Sequence, residues 1–412
     1  MNHAQPADPQ QPLAEDLFER LVRFRRDLHQ HPELSWEEDR TAGKIAAFLD
    51  DLGIPFETGI AGHGIVATIP GRDRTRGVIA LRADIDALPI QEETGLPFAS
   101  QNDGVMHACG HDGHTSILLG AATLLAAEPE LPVPVKLLFQ PAEETGKGAS
   151  AVLETGVLED VALIFGGHID RHYPLGNIIV SDGPVNASSD SFSITVSGKG
   201  GHGGRPHETV DAVVVGSLLI TALQTIVSRE VNPAHPSVVS VGTFQAGTAS
   251  NVIADHAELT GTIRAQDPEV RLYLHDSIQR IAAAVGQLHG AQTETQITVG
   301  TPPLINSHRM ANLAREAASQ VVGQSSVGAL EVANMGAEDF AYYLEHIPGC
   351  YVRFGTVVEG HEVWPAHSSR FDFDERTLGF AAAYYRALVR TASHHLLESL
   401  TAEGERVVPE RI

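Results

Sequence analysis

From Leu13 to His31, apolar Leu17, Leu21, Phe24 and Leu28 recur at three- and four-residue intervals until Pro32 ends the run. That spacing predicts a helix with one buried face. A second helix is predicted over Glu37–Leu52, closed by Gly53, followed by strands at Gly64–Ile69 and Gly77–Leu81, bounded by Gly and Pro. A further helix opens near His111 and carries the apolar run Ile117–Ala127, which Pro129 stops. Val135–Phe139 and Ala162–Phe165 are short, unbroken apolar strands. Continuous apolar strands alternating with helices predict an α/β fold: a mixed, largely parallel sheet flanked by helices.

Near residue 185 the pattern turns to alternation. Ser191–Ser197, Val238–Val241, Ala257–Ala265 and Thr293–Val299 read as half-buried strands, with helices over Val210–Ser228 and Pro268–Leu288. This β-α-β-β-α-β order predicts an inserted α+β, ferredoxin-like domain over 185–302. After Pro302–Pro303 the first pattern resumes, with a helix from Ser307, a strand near Leu330, a helix from Glu338, a strand over Cys350–Phe354 and a closing helix over Glu375–Glu398. The expected organisation is a discontinuous domain over 1–184 and 303–412, interrupted by a smaller one. The Pro- and Gln-rich residues 1–12 are expected to fray.

Composition narrows the choices. The 412 residues carry 28 Lys+Arg against 52 Asp+Glu, a formal net charge of −24. Such an acid excess argues against nucleic acid as the main partner. Residues 185–302 hold only 10 acidic and 6 basic side chains, so the excess sits mainly on the larger domain, where it serves solubility. Two cysteines, Cys109 and Cys350, make no disulfide framework and suit a reducing cytosol. The segment MNHAQPADPQQPLAEDL lacks the basic and apolar regions of a signal peptide. No uninterrupted apolar run approaches about 18 residues, so no membrane span is predicted. A cytoplasmic protein is expected.

The candidate chemistry is concentrated. Met106–His114 places three imidazoles, a thiol and a carboxylate at a loop-to-helix junction. These are donors for zinc and its transition-metal neighbours. Spacing alone leaves open a Cys109/His111 pair or a His111/His114 pair. Phe139-Gln140-Pro141-Ala142-Glu143-Glu144 ends an apolar strand, where open α/β sheets place their sites. Of two adjacent carboxylates, one can bind metal while the other takes a proton from water. Asp84 and Asp86 also follow a strand, and either could ligate, orient a histidine or merely cap the turn before Pro89. His168 and His367 are isolated histidines that gain interest only from these clusters. In the inserted domain, Ser197-Gly198-Lys199-Gly200-Gly201-His202-Gly203-Gly204 is glycine-rich but matches no phosphate-loop pattern. Asn251 and Arg264 by themselves are ordinary polar positions.

Taken together, RRDLHQHPELSWEE, RADIDALPIQE, GVMHACGHDGHT, LFQPAEETGKGA, SGKGGHGG, ASNVIADHAELTGTIR, MGAEDFAYYL and HSSRFD resemble the M20 metallopeptidase family. The resemblance is to its aminoacylase-like amidohydrolases, which include hippurate and auxin-conjugate hydrolases. It implies two divalent metal ions per subunit (Zn, Mn, Co or Ni) in the larger domain, with the smaller acting as lid and dimerisation domain. Cys109 matches a bridging thiolate; His111, Glu144, His168 and His367 match the other ligands. Glu143 matches the general base and Asp86 the carboxylate that orients a ligand. His202 matches a lid histidine that steadies the oxyanion in the neighbouring subunit's site. Asn251 and Arg264 match residues that bind the substrate carboxylate.

The implied activity is hydrolysis of the amide bond of N-acyl amino acids by metal-activated water, in a homodimer or dimer-based oligomer. A dipeptidase or metallocarboxypeptidase of the same family is the second reading. A non-catalytic metal- or ligand-binding protein, the third, leaves Glu143 without a task. One departure stands out: relatives usually read His-Val-x-Pro where this chain has His168-Ile169-Asp170-Arg171-His172-Tyr173-Pro174, an altered loop expected to border the site.

Overall fold

The computed structural model describes residues 12–360 and 362–398. Residues 1–11, nearly all of the stretch expected to fray, lie outside the described residues. The chain divides into two units. The first runs up to Gly183 and resumes over Asn306–Glu331 and from Tyr342; the second comprises Pro184–Ile305 and Val332–Ala341.

The segment Val332–Ala341 was not expected to leave the larger domain. Its backbone is satisfied within the second unit: Asn334 N–H donates to Val185 O at 2.9 Å, Ala187 N–H to Asn334 O at 2.9 Å, and Gln266 Nε2 to Ala333 O at 3.0 Å. No hydrophobic period marks so short a docking segment.

The first unit is built on an eight-stranded sheet. Across it run Phe56–Ile60, Gly64–Ile69, Val135–Gln140, Val78–Asp84, Val161–Pro174, Gly349–Val357, Ile178–Ile179 and Val327–Gly328. The four central strands, from Val135–Gln140 to Gly349–Val357, are mutually parallel. Every residue of Val78–Asp84 is buried, as a strand covered on both faces requires. The helix His111–Ala126 buries thirteen of its sixteen residues and packs against Thr377–Glu398 and Glu15–Gln30. A helix apolar all round from Ile117 belongs in a core, so the buried polar turn His111–Ser116 needs a separate explanation.

Three local expectations change. Ala162–Phe165 is only the start of a 14-residue strand, Val161–Pro174. The segment beyond His168, expected as a loop, stays extended because Gly349–Val357 pairs with it as far as Val357↔Pro174. The helix expected from Glu338 shrinks to Ala341–Leu344, since Glu338 Oε1 accepts the Phe340 N–H at 3.0 Å and holds a turn there. The edge strand Phe56–Ile60 carries almost no buried residue and so left no hydrophobic signal.

The second unit has its own antiparallel sheet, ordered Ser237–Ala246, His256–Ala265, Asp190–Ser197 and Gln292–Thr298. Helices Ala212–Thr225 and Pro268–His289 complete a core containing Phe192, Ile194, Leu219, Leu259 and Ile278. Ala212–Glu230, 19 residues with mean hydropathy 1.6, is long and apolar enough to span a bilayer by length and composition. Its polar interruptions Ser217, Thr221, Gln224 and Ser228 are uncharged, and only Arg229 and Glu230 at its end carry charge. Its Val215, Leu219, Leu223 and Ile226 stripe lies in the core of the second unit.

Candidate metal centre

Adjacent parallel strands of the first unit end together, with Asp84 opposite Gln140. The Asp84–Asp86 and Glu143–Glu144 segments therefore leave the sheet side by side. The next strand supplies His168, paired with Arg353 on Gly349–Val357. Gly110 caps the helix that begins at His111 and adopts φ 91°, a left-handed conformation that glycine takes without strain. His367 and Ala142 take similar angles, φ 66° and 54°, without being glycine. Strain of this kind persists where the surroundings impose it and is concentrated at functional sites. Here Ala142 N–H donates to Glu38 Oε1 at 2.9 Å, and His367 N–H to Ala108 O at 2.8 Å.

Side chains from five segments converge. Donor atoms of Cys109, His111 and His168 lie within 4.8 Å of one another, as do those of Cys109, Glu144 and His367, so the two groups share the Cys109 sulfur. A third such group joins His111 to Glu143 and Glu144. Cys109 Sγ is 3.3 Å from His168 Nε2, and Glu144 Oε2 is 3.4 Å from His367 Nε2. His111 Nδ1 donates to the Asp86 carbonyl at 2.9 Å and faces its Oδ1 at 3.2 Å, which turns Nε2 toward the cluster. Asp86 is itself held, accepting from Ser35 Oγ at 2.7 Å and Glu144 N–H at 3.0 Å. His168 Nδ1 donates to Ile169 O at 2.6 Å, which leaves its Nε2 the bare nitrogen.

The structure separates the two histidine pairings that spacing left open. His114 Nε2 accepts the Ile169 N–H at 3.0 Å, and its Nδ1 faces Asp84 Oδ1 at 2.6 Å. Both ring nitrogens are thereby occupied, although His114 stands with Asp84 and His111 in a further group of donors. Asp84 in turn accepts from Arg82 at 2.6 Å. These residues brace the ends of the strands rather than face the Cys109 sulfur.

Two buried atoms in the cluster, His111 Nε2 and Glu144 Oε1, have no hydrogen-bond partner among the described residues. Orphaned buried polar atoms are costly, and here both point among soft and borderline donors suited to a transition metal. The electrostatics agree. Burial pushes the Cys109 thiol well up, and the Glu144 carboxylate adds to this, so a nearby cation is what would ionise it. Burial, His114 and Arg353 hold His168 well below the usual imidazole range. The contact with Glu144 raises His367 against the effect of burial. Burial would raise Asp86, but the His111 and Ser35 contacts outweigh it and keep the carboxylate ionised. The donor set fits divalent metal.

The remaining expected residues lie in the second unit. His202 pairs with Val252 in a two-stranded ribbon, and Gly203 N–H donates to Asn251 O at 2.8 Å, so His202 and Asn251 are neighbours. His202 Nδ1 accepts the Gly204 N–H at 2.9 Å, leaving Nε2 as the nitrogen able to donate. Arg264 stands on His256–Ala265 opposite Val238.

Sequence reasoning missed Ser35 and Glu38, which hold Asp86 and the Ala142 turn. It also missed Arg25 and His29, buried on the helix Glu15–Gln30. Their only signal was the RRDLHQHPELSWEE motif, to which no role was attached. Within the altered segment, Asp170 Oδ1 accepts from the His172 N–H at 2.9 Å.

Buried thiol, imidazole and carboxylate donors at the carboxyl ends of parallel strands are the setting of a metal-dependent hydrolase. The chain belongs to peptidase family M20/M25/M40, whose sequence profile matches residues 80–391. N-acetylcysteine deacetylase of Bacillus subtilis (strain 168) is 44% identical over 371 residues, which is 90% of this chain and 96% of that one. Thermostable carboxypeptidase 1 of Saccharolobus solfataricus is 38% identical over 376 residues, 89% and 94% of the two chains. The crystal structure of the Bacillus subtilis YXEP protein, a dinuclear metal binding peptidase from the M20 family, superposes with a TM-score of 0.81. It is 39% identical, covering 92% of this chain and 99% of that one.

Proposed function

We propose that this hydrolase of the M20 family cleaves the amide bond of N-acyl amino acids. The observation that carries the reading is the pair of donor groups meeting at the Cys109 sulfur with Glu143 beside them. In this reading His111 and His168 would hold one metal and Glu144 and His367 the other, with Cys109 shared between them. Its donor set suits Zn, Mn, Co or Ni. When bound, two divalent cations supply the Lewis acidity that brings water's pKa from 15.7 toward about 7.

The protein's own residues do the rest. Glu143 takes a proton from the attacking water and delivers it to the leaving amine nitrogen. Asp86 holds His111 in the tautomer that presents Nε2. His202 donates from Nε2 to the oxygen that gains negative charge at the acyl carbon. A donor so placed typically contributes about 3–4 kcal/mol to the transition state. Asn251 and Arg264 grip the substrate carboxylate. In support, the Arg264 side chain has no hydrogen-bond or ion-pair partner among the described residues, and guanidinium suits two-point recognition of carboxylates.

A dipeptidase or carboxypeptidase is the second reading, favoured by the carboxypeptidase among the relatives. A panel of N-acyl amino acids, dipeptides and N-acyl amino acid amides decides between them. Free N-acyl amino acids should have the highest kcat/KM, and losing the carboxylate should cost about 10²-fold or more, as expected for an unpaired buried polar group. Equal cleavage of amides would contradict the role of Arg264, and preference for dipeptides would favour the second reading.

His202→Ala should retain its metal and lower kcat by about 10²- to 10³-fold; loss of metal, or unchanged turnover, would contradict the oxyanion role. A homodimer, or an oligomer built from dimers, is proposed as the assembly. Its support is the exposed apolar face formed by Val213, Val214 and Leu218 on Ala212–Thr225. Cytoplasmic residence is supported by two buried cysteines that are both free.

A further inference from the structure

The catalytic reading leaves Arg25 without a task, yet its side chain is 0% exposed. Nε donates to Asp112 Oδ2 at 2.7 Å, Nη2 to Asp372 Oδ1 at 2.8 Å, and Nη1 to Glu375 Oε1 at 3.3 Å. The guanidinium carbon lies over the Phe373 ring at 4.3 Å from its centroid and over that of Phe98 at 5.0 Å. His29, one turn further along the helix, brings Nδ1 within 2.9 Å of the same Asp112 oxygen and Nε2 within 3.4 Å of Glu92. Asp112 Oδ1 is occupied as well, by the Gly113 N–H at 2.9 Å.

The three carboxylates on Arg25 come from two segments distant in sequence. Asp112 follows directly on Cys109 and His111, while Asp372 and Glu375 follow closely on His367. The segments also touch directly, because a Cβ on Gly113 would come within 2.5 Å of the Phe373 ring. Beyond the Cys109 sulfur that both groups share, the first segment adds His111 to one group and the second adds His367 to the other.

A buried ion pair contributes little net stability compared with well-packed apolar side chains. What a guanidinium adds is a rigid planar fork with fixed donor directions. We infer that Arg25 is a positioning residue, with His29 as second anchor on Asp112, that sets the spacing between the Cys109–Asp112 and His367–Glu375 segments. Through that spacing it sets the separation of the two donor groups. The inference rests on the ligand reading proposed above.

Arg25→Lys keeps the charge and loses the fork. Asp372→Asn removes one arm at a carboxylate that is 36% exposed, and so tests the same point if the lysine variant does not fold. Both full-length variants, stripped by chelator, are titrated with Mn²⁺ by calorimetry alongside wild type and His367→Ala. The folded variants should bind one of two metal equivalents about 10- to 100-fold more weakly, the usual cost of losing an outer partner of a metal site. Their kcat should fall at limiting metal and recover in excess metal, with KM unchanged. Wild-type affinity for both equivalents in the folded variants, even with a lowered Tm, would overturn the inference and leave Arg25 a purely structural residue. If His367→Ala also keeps both equivalents at wild-type affinity, the ligand reading fails instead, and the two failures are told apart.

Discussion

Glu143→Gln should leave two metal ions per subunit by elemental analysis while kcat falls by about 10²- to 10⁴-fold, the range for a positioned general acid–base group. The amide replacement keeps the size of the side chain and its place at the 3-10 turn Glu143–Thr145. What disappears is an atom able to take a proton from water and return it to the amine. In the proposed mechanism both steps pass through Glu143, so kcat and kcat/KM should fall together, the pattern of an interaction made only in the transition state. Near-normal turnover would remove Glu143 from its role as the base.

Cys109→Ser should have the largest effect on the metal itself. Cys109 Sγ belongs to both donor groups, whereas each histidine among them reaches only one side of it. Serine keeps the volume and loses the soft anionic donor, since its hydroxyl does not ionise as a thiol does beside a cation. Metal content after dialysis should fall toward zero for both equivalents together, and turnover should fall with it. Loss of one equivalent alone would show that the sulfur does not bridge, and full occupancy would exclude it as a ligand. The measurement is elemental analysis of protein prepared without added metal.

The two variants separate binding from proton transfer, and the residues behind them differed in how legible they were. Cys109 and His111 stand in one contiguous run of donors, and Glu143 and Glu144 follow directly on a buried strand, so local reasoning reaches them. His168 and His367 are isolated histidines, meaningful only once the motifs around them are read together. Spacing could not choose between Cys109 and His114 as the partner of His111. That choice depends on an Ile169 N–H and an Asp84 carboxylate brought in by other strands.

Arg25 and His29 were less legible still. Four apart on an amphipathic helix, they read as ordinary polar positions, and their common partner Asp112 lies 87 residues beyond Arg25. The fold shows the same division. Elements with a strong internal period, such as Gly64–Ile69 and Pro268–His289, emerge within a residue or so of expectation. The extension of Val161 to Pro174 and the docking of Val332–Ala341 on the second unit depend on partners far along the chain, and no local pattern encodes them.

The central claim, a metal-dependent hydrolase acting on N-acyl amino acids through two ions, is tested most directly by one titration. Chelator-stripped protein is titrated with Mn²⁺, Co²⁺, Ni²⁺ or Zn²⁺ while amine release from an N-acetyl amino acid is followed. The account predicts no turnover in the stripped protein and a rate that rises to a plateau at two equivalents per subunit with at least one of these metals. Full turnover by the stripped protein, or none with any of the four metals, would contradict it.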